Sequence, residues 1–279
     1  MDSPQSDPPS DPEDSGSDPE DPGPGVSGPE EPPSRSRLIA IAGSVGYVIG
    51  AFIIAFAGSI ALMMPLMIGL MVTDNLELVE YLFEGDGFVF LAAAESAMLG
   101  LGAVGLAALS VMRGWIPKSD FGLSIPTNRQ FVVSLIAIAG LVALGMALSI
   151  ISNTLGIPAS EHSLIDENAS ATYFLALAVI SILIIGPAEE LLFRGVIQNY
   201  MRPAFGSAGA IVLTSVLFSS IHLPAYFTAT FAEAVVSLGV VLALSLVLGW
   251  LYEKYENLYL VMWIHGGYNA VLFLFQAFL

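Results

Sequence analysis

Residues 173–200 read YFLALAVISILIIGPAEELLFRGVIQNY, an apolar run that carries Glu189, Glu190 and Arg194 in its interior. About 20 mainly apolar residues suffice to cross the hydrocarbon of a bilayer, so the stretch reads as a membrane helix. Its three charges are then groups that lipid normally excludes. The rest of the chain is of the same kind: 55% of its 279 residues are apolar and only 12% charged, with a mean hydropathy of +0.77. A water-soluble chain of this size must cover most of its surface with water-compatible side chains, and this one has too few. The expected fold class is therefore all-α, a multi-pass transmembrane helical bundle.

Seven spans are predicted, near Leu38–Val72, Phe88–Met112, Phe131–Ile151, Tyr173–Tyr200, Ala208–Leu223, Ala232–Tyr252 and Leu258–Phe278. The first is long for one crossing and is expected to tilt, protrude or break near Pro65. Ahead of it, ten of the 25 acidic residues fall between Asp2 and Glu31, in a stretch that also holds nine prolines from Pro4 to Pro32 and no Lys or Arg. Such a segment cannot bury apolar surface and is expected to be a disordered tail over 1–37. Loop charge favours seven spans over eight, because cytoplasmic loops collect Lys and Arg. With seven, Arg35 and Arg37, then Arg113, Lys118 and Arg129, then Arg202, then Lys254 all fall on one side. The opposite loops hold Asp74, Glu77, Glu80, Glu84, Asp86, Glu161, Asp166 and Glu167 and no basic residue. This places the N-terminus in the cytoplasm and the C-terminus outside, with Trp250, Tyr252, Tyr255, Tyr259 and Trp263 as an aromatic belt at the inner interface. The acidic balance argues against nucleic-acid binding, and the absence of cysteine excludes disulfides, thiol catalysis and cysteine-ligated zinc.

Ionisable groups inside spans are default functional candidates, and they concentrate toward the C-terminus. The fourth span holds Glu189, Glu190 and Arg194; the fifth, VLFSSIHLP, holds His222; the seventh, MWIHGGYNA, holds His265 and Asn269. Residues four apart share a helix face, whereas adjacent residues diverge by about 100°. Glu190 therefore pairs with Arg194, and Glu189 faces elsewhere with no partner on its own helix, in surroundings that suit a general base. Gly186–Pro187 is expected to distort the helix just before the two carboxylates. Glu189 and His222 lie at matching distances, about 21–24 Å, from the turn at Pro203–Gly206, while His265 lies only about 12 Å beyond Asn257. Taken alone, the residues leave three readings open: a hydrolytic site, a transport or proton pathway, and structural pairing between helices. Glu95 in the second span fits none of these, and His162 beside Glu161 is expected to be a solvated surface histidine.

The order Glu189-Glu190…Arg194, Phe218…His222, His265…Asn269 closely resembles the CPBP family of intramembrane proteases, whose pattern is EExxxR, FxxxH and HxxxN. The resemblance covers roughly residues 171–279. It implies a catalytic core over 171–279 behind a three-span region at 38–170, and an endopeptidase acting on a membrane-associated protein or peptide. It implies Glu189 as the base that activates water, His222 as its assistant, His265 and Asn269 as oxyanion donors, and Glu190–Arg194 as a structural ion pair. Members of the family also act as immunity or scaffold proteins, and the same buried groups would serve a transporter, although the repeats and paired broken helices of transporters are missing. No cofactor is firmly implied. Glu189, His222 and His265 would be the ligand set if Zn²⁺ were bound, but the chain has no HExxH, and a water-activating glutamate without metal is the favoured mechanism.

Overall fold

In hydrocarbon every backbone N–H and C=O must be paired within the chain, which leaves helices as the way to build long apolar segments. The computed structural model describes Met1 and residues 36–83, 87–165 and 169–278. The expected acidic tail lies outside the described residues apart from its two ends, as do Glu84, Asp86, Asp166 and Glu167. Helix α1 (Arg37–Val72) starts at Ser36, whose hydroxyl accepts from the Ile39 N–H. It is followed by the short α2 (Leu76–Phe83), α3 (Phe88–Met112) and α4 (Asn128–Thr154), the last opened by a Thr127/Gln130 capping box. The next helical stretch joins α5 (Ala171–Ile180), α6 (Gly186–Glu190) and α7 (Asn199–Ile221) through π-helical turns at Ser181–Ile185 and Leu191–Gln198. The one-turn α8 (Leu223–Tyr226), then α9 (Phe231–Tyr255), capped by a Thr230/Glu233 box, and α10 (Leu258–Phe278) complete the fold.

Among the described residues six helical stretches are long and apolar enough to cross a membrane, because Ala171–Ile221 runs as one. It is nevertheless not one straight helix. Gly206 has φ 67° and ψ 173°, a non-helical conformation suited to glycine, and beyond it the chain turns back. Thr214 Oγ1 reaches Met201 Sδ at 3.7 Å, and the Phe218 ring meets the Phe193 ring at 4.9 Å. Residues on either side of Gly206 thus touch, as in an antiparallel hairpin, so the stretch divides into two packed helical arms.

The loops sort into two rims. On one, Arg37 lies over the Phe205 ring, Arg202 pairs with Asp120 at 2.8 Å, and Ser207 donates to Glu253 at 2.8 Å. On the other, Thr228 donates to the Glu161 carbonyl at 2.9 Å, and the Ser163 N–H donates to the Ala225 carbonyl at 2.8 Å. Helix α1 runs unbroken through Pro65; its 36 residues extend roughly 54 Å, so it tilts or protrudes instead of breaking. The aromatic belt also needs correction at Tyr252. This side chain is buried and donates to the Asp120 carbonyl at 2.6 Å, whereas Trp250, Tyr259 and Trp263 are exposed on the bundle surface.

Candidate active site

The site exists because two helix backbones touch. A Cβ on Gly186 would lie 2.7 Å from the Gly266 backbone N, and one on Gly266 would lie 2.6 Å from the Ser181 carbonyl oxygen. Only glycine at both positions lets α6 and α10 approach this closely, the same logic that places small residues at membrane helix contacts. Pro187 has no N–H to return to the turn before it, and the π turns on either side of α6 absorb that mismatch. The contact delivers Glu189 and Glu190 to His265.

Glu190 Oε2 lies 3.3 Å from Arg194 Nε with neither side chain exposed, and Glu190 Oε1 lies 2.8 Å from His265 Nδ1. Arg194 also donates through Nη2 to the Ser245 hydroxyl at 3.0 Å and to its carbonyl at 3.2 Å. Glu189 faces away from this group. Its Oε2 lies 3.7 Å from His265 Nε2 and 4.0 Å from His222 Nε2. The His222 Nδ1–H donates to the Phe218 carbonyl at 2.8 Å, so a neutral His222 carries its lone pair on the Nε2 that faces Glu189. The Phe218 ring packs 4.5 Å from the His222 ring and 5.8 Å from the His265 ring, with the Arg194 guanidinium carbon 5.1 Å from its centre.

The 12 Å height of His265 is reconciled by a raised corner. Helix α10 starts level with Gly195, where a Cβ would lie 3.2 Å from Leu258, not level with the Gly206 turn. The Leu258 N–H donates to the Gly122 carbonyl, and Asn257 Nδ2 donates to the Ser124 carbonyl, both at 3.0 Å. Gly122 sits at φ +60° where a Cβ would collide with the Glu256 carbonyl, so this corner requires glycine.

Glu189, His222, His265 and Asn269 line one cavity of about 490 Å³ that extends toward the rim of Glu161 and Thr228. Asn269 stands one turn of α10 beyond His265, and its amide makes no hydrogen bond among the described residues. Glu95 is exposed and does not line the cavity, although its neighbour Ser96 does.

His162 corrects the sequence reading. It lines the same cavity, with its ring 5.0 Å from the Tyr226 ring and its Nδ1 accepting the Leu164 N–H at 3.1 Å. Burial, with His222 nearby, pushes it down from 6.5 to about 4, and burial raises the Tyr226 phenol. The loop carrying His162 folds back because Ser160 bonds to the Tyr226 carbonyl and Ser237 donates to the Ser160 carbonyl at 2.8 Å. Sequence reasoning also missed Ser245 and the glycine pair, although the GPAEE and HGG motifs contain both glycines.

As a metal centre the geometry does not fit. Ligands about 2.0–2.1 Å from a tetrahedral zinc lie roughly 3.3 Å from one another. Here the two nitrogens lie 3.7 and 4.0 Å from Glu189 Oε2, and among the described residues no three His, Asp or Glu side chains are disposed to hold a metal ion.

Fold and site together define a multi-pass helical membrane protein with a carboxylate–imidazole cluster in a cavity of its bundle. The family model described as type II CAAX prenyl endopeptidase Rce1-like matches residues 171–271, so this segment is similar to that family. No curated protein and no solved structure matches it. The family supports membrane-embedded endopeptidase activity in general.

Proposed function

We propose that residues 171–279 are the catalytic core of an intramembrane endopeptidase that hydrolyses a peptide bond of a membrane-associated protein or peptide, with 38–170 as its supporting N-terminal region. The observation that carries this reading is the convergence of both imidazole Nε2 atoms on one Glu189 oxygen, within 4.0 Å, in the wall of a cavity. Water beside Glu189 loses a proton to that carboxylate while its oxygen attacks the peptide carbonyl. His222, held by the Phe218 carbonyl, presents a lone pair that accepts a hydrogen bond from the same water. The carbonyl oxygen becomes an oxyanion and is met by donors in place beforehand, the Asn269 amide and the His265 Nε2–H. To donate there while its Nδ1–H faces Glu190, His265 must carry both protons, and the carboxylates on its two sides supply the countercharge for that cation. The proton on Glu189 then passes to the leaving amine, so one water is consumed and two termini form.

Seven crossings with the basic rim inside support a reading in which the protein lies in the cell membrane, N-terminus in the cytoplasm and C-terminus outside. Comparative membrane proteomics of wild-type cells against a Glu189→Gln strain tests the reading. A precursor that accumulates only in the variant supports it; identical sets of protein termini in the two strains overturn it.

A further inference from the structure

The sequence orients the chain, but only the structure shows which rim the cavity meets. Its lining includes Ser160 and His162 of the folded-back loop, Ser237 in the second turn of α9 and Gln276 near the end of α10. All lie toward the rim where Thr228 and Ser163 make their loop-to-loop bonds. Toward the opposite rim the chain is closed beneath Glu189 and Glu190. Leu192, Phe193, Arg194, Val196, Ile197 and Gln198 have no exposed surface, and below them Asn199 and Tyr252 both bond to the Asp120 carbonyl. The closed rim carries every Lys and Arg outside the bundle interior from Arg37 onward, whereas the open rim carries none. The basic rim is cytoplasmic by the charge rule.

We infer that the catalytic cavity opens on the extracytoplasmic side, so that this enzyme takes substrate segments presented at the outer leaflet or just beyond it. The inference rests on the proposed function for the word substrate, but not for the side of the opening. The lining also bears on substrate chemistry. Met146, Leu272 and Phe275 expose their side chains on the bundle surface, which gives the cavity an apolar flank toward lipid. Among the described residues no Lys or Arg lines it, while Glu189 does and Glu161 stands exposed beside its mouth. A free C-terminal carboxylate would find no cationic side chain in that lining apart from a protonated histidine. The cavity therefore suits an internal segment of a membrane-anchored protein, neutral or basic near the cleaved bond.

The absence of cysteine makes the test free of background. Single-cysteine variants Gln276→Cys and Glu161→Cys report the mouth, and Lys254→Cys, which is exposed, reports the basic rim. The full chain is expressed in intact cells and treated with a membrane-impermeant maleimide. The two mouth variants should label without permeabilisation, and Lys254→Cys only after it. The reverse pattern overturns the inference. In parallel, two membrane-tethered reporters carry the same cleavable segment, outside in one and inside in the other. Cleavage of the outer reporter, lost in Glu189→Gln, supports the inference, and Glu189-dependent cleavage confined to the inner reporter overturns it. Outside labelling with neither reporter cleaved upholds the side of the opening and counts against the protease reading.

Discussion

Glu190→Gln and Glu189→Gln differ by one position and should differ in kind. Glu190 and Arg194 are both without side-chain exposure, and Glu190 is the carboxylate at His265 Nδ1. Replacing it by Gln leaves the Arg194 guanidinium buried beside Ser245 and the Phe218 ring with no adjacent negative charge. Breaking one side of a buried pair costs roughly 3–5 kcal/mol, which for a chain of this size corresponds to a fall in Tm of roughly 6–20 °C. Glu189 has only the contacts at 3.7 and 4.0 Å, outside hydrogen-bond range, so Glu189→Gln should stay within about 1 kcal/mol of wild type. The assay is thermal unfolding of the detergent-purified proteins, paired with cleavage of a reporter. Both variants should be inactive, but only Glu190→Gln should melt early. The double variant Glu190→Gln/Arg194→Met should regain most of the lost stability, since removing both charges of a buried pair costs far less than removing one. Equal melting of the two single variants, with activity surviving in Glu189→Gln, would refute the assignment of roles.

Asn269→Ala should lower kcat by about 10²–10³-fold with little change in KM, as expected for a lost oxyanion donor; a change confined to KM would make Asn269 a substrate contact. Gly266→Ala would place a Cβ 2.6 Å from the Ser181 carbonyl oxygen, so the helices must part at a cost of about 1–3 kcal/mol, and activity should fall together with Tm; full activity would show that the close approach is dispensable. Prolonged chelation should leave the purified enzyme active, whereas inactivation reversed by Zn²⁺ would make Glu189, His222 and His265 ligands. His162, held down at about 4 in the fold against 6.5 when unfolded, takes up its proton first in the unfolded chain. The stability it contributes is therefore complete above about pH 6.5 and is lost as the pH falls toward 4, and His162→Asn should flatten that part of the pH–stability profile; an unaltered profile would show that His162 does not carry the effect.

The sequence by itself determined what depends on neighbours along the chain. The spans follow from runs of apolar residues, the Glu190–Arg194 spacing from the helical repeat, and the sharing of a rim by Arg37, Lys118, Arg202 and Lys254 from counting crossings. Even the matched heights of Glu189 and His222 follow from rise per residue on two arms of one hairpin. Only the tertiary structure decided what depends on how closely and at what height separate helices meet. The approach of α6 to α10 turns on the absence of two Cβ atoms, at Gly186 and Gly266, which leaves no mark in hydropathy or periodicity. The height of His265 turns on a corner at Gly122 and Glu256 that lifts the start of α10, and rise per residue measures distance only from a helix end of known depth. His162 reads as a loop histidine because burial there is imposed by Ser160, Tyr226 and Ser237, residues distant in sequence. The side on which the cavity opens could be argued only once the charge rule, a property of the sequence, was joined to a floor of packed side chains, which is a property of the fold.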